Sequence, residues 1–253
     1  MEHEVEFSSL DKPLFDGADA TKGDLVAYLE AVADQLIGQL RDRPLSVMRA
    51  RPGQRPFMQK NLPKNAPDWI ETVGIWAETS KREVHYALCN DRPTLRWFAN
   101  QRAVEYHPTL WPQTQLVLDL DPPAGAAFAV AARTAALDPS IATTAYVVEE
   151  REGKVFVDST RAGGATVVAA YSPRIRPGVP VSFPVSRDEL ERSSPADFTT
   201  RTAPDLLAGR DPWVESMPAP QTLPEDLLEE GRAIPVARVA AMHEGKRRKR
   251  EQG

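Results

Sequence analysis

The stretch Gln115-Leu-Val-Leu-Asp-Leu-Asp121, followed at once by Pro122-Pro123, constrains the fold more than any other part of the chain. A short apolar run of this kind predicts a strand buried on both faces, and two prolines without backbone N–H groups stop it. Such a strand needs sheet partners, and the patterns around it supply both partners and cover. Leu45-Ser46-Val47-Met48, Glu71 to Trp76, Glu83 to Cys89, Thr143 to Val148, Lys154 to Asp158 and Thr166 to Tyr171 all read as strands. Between them lie helical patterns. Leu25, Tyr28, Leu29, Val32, Leu36 and Leu40 recur at spacings of three and four, which predicts one amphipathic helix capped by Thr21 or Asp24 and closed before Pro44. A second helix is expected over Pro93 to Glu105, with Leu95, Phe98, Ala99 and Val104 on one side, and a third over the alanine-rich Ala124 to Ala136. Arg51-Pro52-Gly53 is a loop and Arg187 to Glu191 a short helix.

This alternation predicts an α/β (α+β) fold with a central mixed sheet flanked by helices. One domain is expected over residues 1–217, with both carboxylate-ending strands in its central sheet and a loop-rich wrap beginning near Pro173. Residues 218–253 form an acidic-then-basic tail, from Glu225 to Glu230 and then Lys246 to Arg250.

Composition narrows the function classes. With 253 residues and 42% hydrophobic content the chain can bury a sizeable core. Its one cysteine, Cys89, excludes an internal disulfide framework and a cysteine-built zinc site. The N-terminus lacks the basic and apolar segments of a secretion signal, and no apolar run approaches a membrane span. A cytoplasmic, nucleoid-associated protein without membrane contact is expected. Net charge −5 argues against nonspecific coating of nucleic acid. Positive charge is nevertheless concentrated in Arg41, Arg43, Arg49, Arg51 and Arg55, in Arg174 and Arg176, and in the tail, so a basic groove on an acidic body fits the sequence.

The chemistry-bearing candidates sit at strand ends. Side chains two apart on a strand share a face, so Asp119 and Asp121 would present two carboxylates together. Taken alone, an Asp-x-Asp also fits a helix cap beside a solvated strand end. A second strand, Lys154-Val-Phe-Val-Asp158, ends in another carboxylate. If the two strands are neighbours and antiparallel, three acids converge, an arrangement that needs cations and suits Mg²⁺ or Mn²⁺.

Six ordered segments resemble one family: Asp11-Lys-Pro-Leu-Phe15 with Thr21-Lys22, Phe57-Met-Gln-Lys-Asn61, Val104-Glu-Tyr-His107, Leu118 to Pro123, Gly153 to Asp158, and Ala170-Tyr-Ser-Pro-Arg174. In this order they resemble the archaeo-eukaryotic primase superfamily, and within it the polymerase domain of bacterial ligase D-type non-homologous end-joining proteins. The resemblance covers nearly the whole chain. It implies a DNA-templated nucleotidyltransferase acting in DNA repair, with Asp119, Asp121 and Asp158 as catalytic carboxylates holding two metals, Mg²⁺ or Mn²⁺. It implies that Lys12 and Lys22 bind the 5′-phosphate of a DNA double-strand-break end, and that Phe57 and Met58 stack on template bases. His107 and Arg174 match residues lining the nucleoside triphosphate site. Ku and the end-joining ligase would be further partners.

The departure from the family is equally specific. Between Asp121 and Asp158 the family carries a Ser-Gly-x-Lys-Gly-x-His motif that grips the incoming triphosphate, and no such motif occurs here. Ala132-Arg133 runs straight into what would be the later helix, so several tens of residues are missing from the middle of the sheet. This leaves a nucleotidyltransferase of weak or no turnover and a DNA-end-binding module as the competing functions.

Overall fold

The computed structural model describes residues 3–77, 81–110, 120–121, 140, 142–143, 148–157, 166–219 and 222. Two compact units emerge. The first comprises residues 1–114, 163–186 and 193–215; the second comprises residues 115–162, 187–192 and 216–253.

The first unit opens with α1 (Lys22–Ala31), whose start is fixed by a reciprocal cap. Thr21 Oγ1 accepts from the Asp24 N–H, and the Asp24 carboxylate accepts from the Thr21 N–H at 2.7 Å. The single long helix expected here is instead two, because α2 (Ala33–Leu40) follows after Val32. Val32 leaves helical dihedrals (φ −108°, ψ 14°), yet its N–H still donates to Tyr28 O and its carbonyl still accepts from Leu36 N. The joint is a bend at a β-branched, fully buried residue. Leu25, Tyr28, Leu29, Leu36 and Leu40 pack inward from the two segments, as their spacing requires.

β1 (Pro44–Arg51) is the hub of a five-stranded sheet. One of its edges pairs with β5 (Ala103–Pro108). The other is shared by β2 (Gln54–Gln59) at its C-terminal half and β4 (Arg82–Leu88) at its N-terminal end. β3 (Thr72–Ala77) completes a hairpin with β4. All these pairings are antiparallel. β2 was not signalled by its sequence, since Gln54-Arg55-Pro56 carries no strand pattern; the turn at Gly53 (φ +69°) folds it back onto β1.

The helix expected over Pro93 to Glu105 ends earlier. α3 (Arg92–Asn100) is capped by Asp91 and terminated at Arg102, whose positive φ of 60° no helix continues. Val104 and Glu105 therefore belong to β5, where Ala-Val-Glu-Tyr-His has the β-branched and aromatic content that suits a strand. Thr166 to Tyr171, expected as a strand, is not a regular one: an isolated bridge at Thr166 to Thr109 and single backbone hydrogen bonds tie it to β5. Short helices follow at Ala203–Leu207 and Pro212–Ser216.

In the second unit, β6 (Leu120–Asp121), β7 (Ala142–Thr143) and β8 (Val155–Val157) form a three-stranded sheet. β6 is antiparallel to β8 and β7 parallel to it, so mixed pairing is found here. Among the described residues no pairing joins these strands to the five-stranded sheet. Of Thr143 to Val148, only Thr143 is described as strand, and Val148–Glu150 is a 3-10 turn. Arg187–Leu190 is the short helix its sequence predicts. The Ala124 to Ala136 helix and the tail from residue 223 lie outside the described residues.

Candidate functional site

The segment from Ser8 to Gly23 is stitched into a closed loop at the head of α1. Lys22 N donates to Lys12 O at 2.9 Å, Gly23 N to Leu10 O at 2.8 Å, and Leu14 N to Ala20 O at 2.8 Å. The two lysines assigned to phosphate binding therefore lie side by side in the backbone but face different surroundings. Lys12 is exposed, with the Asp11 carboxylate 3.5 Å away. Lys22 is 2% exposed. Its ammonium donates to Ser8 O at 2.6 Å and to Asn100 Oδ1. Burial, and then the charge of Arg102, lowers its pKa from the ordinary lysine value. Both acceptors are neutral oxygens, so the Lys22 charge is hydrogen-bonded but not neutralised by them. Arg102, which sequence reasoning did not single out, adds to it and holds the loop through Pro13 O and Leu14 O at 2.8 and 3.0 Å.

The β1–β2 ribbon carries the aromatic candidates. Phe57 is 43% exposed and Met58 40% exposed, an uncommon placement for large apolar side chains on a strand. Phe57 pairs with Arg49 across the ladder. Arg49 is buried, donating from Nε to Gln101 O at 2.7 Å, from one terminal nitrogen to Gln59 Oε1 at 2.9 Å and from the other to Gln101 Oε1 at 3.2 Å. Beside this ribbon lies an open cleft of about 470 Å³ lined by Phe15, Gly53, Arg55, Pro56, Ile175 and Arg176 among others.

His107 and Arg174 are brought together by a residue that the sequence did not mark. Glu105, two positions before His107 and on the same face of β5, places one carboxylate oxygen 2.9 Å from His107 Nε2. Its other oxygen accepts from Ile175 N at 2.8 Å and from Arg174 Nε at 3.3 Å. Burial pushes the Glu105 pKa up, but the hydrogen bonds from His107 and Ile175 and the charge of Arg174 outweigh it and bring it down to about 2. The only signal available beforehand was the i, i+2 spacing of Glu105 and His107 in a strand.

Of the three metal-ligand candidates, Asp119 and Asp158 lie outside the described residues, and Asp121 is described only by its backbone. That backbone is informative. Leu120 pairs with Val157 and Asp121 with Phe156, so the strands ending in Asp121 and preceding Asp158 are adjacent and antiparallel, as the sequence led us to expect. Among the described residues no cluster of three or more His, Cys, Asp or Glu side chains would hold a metal.

With this geometry in place, known proteins can be compared. The family model for the LigD primase-polymerase domain matches residues 21–137 and 124–213. The chain belongs to that family. It is 27% identical to the bifunctional non-homologous end joining protein LigD of Bacillus subtilis, over 80% of this chain and 42% of that protein. It is 26% identical to the multifunctional LigD of Mycobacterium tuberculosis, over 75% of this chain and 34% of that one. The chain thus spans less than half the length of these relatives. Both alignments run over more positions, 266 and 258, than this chain has residues, so many positions of each relative have no counterpart here. Among solved structures, the polymerase domain of Mycobacterium tuberculosis ligase D in complex with DNA has the same fold, with a TM-score of 0.76, 24% identity, and coverage of 85% of this chain and 98% of that one. Among the described residues no helix is long and apolar enough to cross a membrane.

Proposed function

We propose that this chain is the nucleotidyltransferase-type domain of a bacterial end-joining protein, engaging 5′-phosphorylated DNA ends and extending a templated 3′-end with nucleotides. The observation that carries this reading is the antiparallel register of β6 and β8. It brings the strand that ends in Asp121 beside the strand that precedes Asp158, and Asp119 stands two residues before Asp121 in the sequence. Three carboxylates carried by two neighbouring strands fit Mg²⁺ or Mn²⁺, hard cations that take oxygen ligands. When bound, two such cations activate the attacking hydroxyl and neutralise the leaving pyrophosphate.

The chain's own residues supply the rest. The Lys12 ammonium offers a solvent-facing point charge to a 5′-phosphate, reinforced by the buried Lys22 and by Arg102 behind it. Phe57 and Met58 offer an apolar surface to an unpaired template base. His107 and Arg174 line the site of the incoming nucleotide. Ku and the end-joining ligase are the expected partners.

A second reading, a DNA-end-binding module with little turnover, is favoured by the missing triphosphate grip. The two family-model matches overlap at residues 124–137, which fits the loss of a segment between them. A gap-filling assay with Mn²⁺, ribonucleotides and a recessed 5′-phosphate tests both. Weak extension abolished by Asp158→Ala supports a nucleotidyltransferase of reduced turnover. No extension, with retained preference for phosphorylated ends, supports the binding module. Absence of both extension and end preference overturns the proposal.

A further inference from the structure

We propose that Glu105 is a positioning residue of the nucleotide site, holding His107 and Arg174 as one nucleotide-facing unit; this rests on the reading of His107 and Arg174 given above. The geometry distinguishes the role from a structural staple. β5 is already joined to the 166–176 segment without Glu105, through Val167 N to Pro108 O at 3.3 Å, Ala169 N to Tyr106 O at 2.9 Å and Tyr106 N to Ser172 Oγ at 2.9 Å. Glu105 adds to that join a buried carboxylate whose oxygens reach two side chains with little else in common.

The consequences for each partner differ. A carboxylate on Nε2 makes that nitrogen the N–H and leaves Nδ1 as the ring atom available to another group, the same device by which carboxylates orient metal-binding histidines. Arg174 is held through Nε, and its side chain remains 34% exposed, so the terminal nitrogens keep their fork for a phosphate. Ile175 N, donating to the same oxygen as Arg174, locks the backbone at that point. A single acid thus sets the tautomer and orientation of an imidazole whose Nδ1 accepts from a donor such as a ribose hydroxyl, and the direction of a guanidinium that donates to phosphate, and the two are kept close by the negative charge between them. The ligand class is a nucleoside triphosphate.

The test uses the full chain, a fluorescent ATP analogue with Mn²⁺, and the variants Glu105→Gln, His107→Ala and Arg174→Ala. Glutamine keeps the shape and one acceptor but turns an N–H₂ toward His107. It is expected to weaken nucleotide binding about tenfold, the scale on which loss of such an orienting partner acts. Adding it to His107→Ala should bring little further loss, while binding of 5′-phosphorylated DNA ends stays within about twofold of wild type. If His107→Ala and Arg174→Ala weaken nucleotide binding but Glu105→Gln does not, Glu105 is not the positioning residue and the nucleotide-site reading stands. If wild type and both single variants bind nucleotide equally, or none binds, the nucleotide-site reading falls and this proposal with it. A second measurement does not depend on the variant folding. Nitrogen-15 spectra of the histidines in wild type, with His107 assigned by its absence in His107→Ala, should show the Nε2–H tautomer; an Nδ1–H tautomer overturns the proposal.

Discussion

The guanidinium of Arg49 lies over the ring of Phe57, 5.5 Å from its centroid. A buried cation with three neutral acceptors therefore supports an exposed aromatic from below, which stiffens the ring and leaves positive charge beside it. Replacing Arg49 with methionine should strand Gln59 Oε1 and the Gln101 carbonyl, at a cost of about 1–3 kcal/mol in urea unfolding. Lysine should rescue little, because it lacks the planar fork. Phe57→Ala, at an exposed position, should leave stability within about 0.5 kcal/mol and instead weaken single-strand template binding by about 1–3 kcal/mol, read by fluorescence anisotropy. Equal binding by both proteins would remove Phe57 from the interface.

Glu105 makes stability pH-dependent in a defined window. Its folded pKa of about 2 lies below the ordinary value of 4.5, so its contribution is fully present above about pH 5 and is lost as pH falls through 4.5 toward 2. The shift sets an upper bound of about 3 kcal/mol. Unfolding free energies of wild type and Glu105→Gln, measured from pH 7 to pH 3, should differ by a constant amount at neutral pH and converge on acidification. A difference that grows as pH falls would contradict the sign.

The two lysines of the N-terminal loop should separate into different phenotypes. Lys12→Ala should leave the melting temperature unchanged, since an exposed pair with Asp11 is worth about 0–1 kcal/mol, yet erase any preference for a 5′-phosphate over a 5′-hydroxyl at fixed salt. Lys22→Ala should destabilise the chain by about 1–3 kcal/mol by orphaning Ser8 O and taking one of two donors from Asn100 Oδ1. If wild type binds both kinds of end alike, the phosphate assignment is wrong.

Calorimetry with Mn²⁺ should give measurable heats for wild type and none for Asp119→Ala/Asp121→Ala, because clustered carboxylates need cations whether or not turnover follows. Equal heats from both proteins would remove these aspartates from the metal site.

What the sequence made legible was local. The Thr21 cap, the strand at Leu45 to Met48 and the strands that become β3 and β4 follow from patterns within a few residues, and the strands at Asp121 and Asp158 each announce themselves the same way, their pairing being the added expectation that the structure bears out. What escaped depended on distant partners. The end of α3 is set by Arg102, whose left-handed turn is held from Pro13 and Leu14, some ninety positions away. β2 exists because β1 offers half an edge, and no periodicity in Gln54 to Gln59 announces it. Glu105 gained its role only when Arg174 and Ile175 arrived opposite it. Lys22 looked like a surface cation because burial cannot be read from a lone lysine.

The placement of β2 bears on solubility. Among the described residues it pairs with β1 alone, and such an outermost strand with greasy side chains ordinarily recruits stray chains into intermolecular sheets. Here Pro56 deletes one donor from the row and Arg55 adds charge beside it, both gatekeepers against edge-to-edge growth. The same ribbon can therefore keep Phe57 and Met58 in water without becoming a seed for amyloid, and Pro56→Val, which restores the donor and raises strand propensity, should trade that protection for concentration-dependent precipitation.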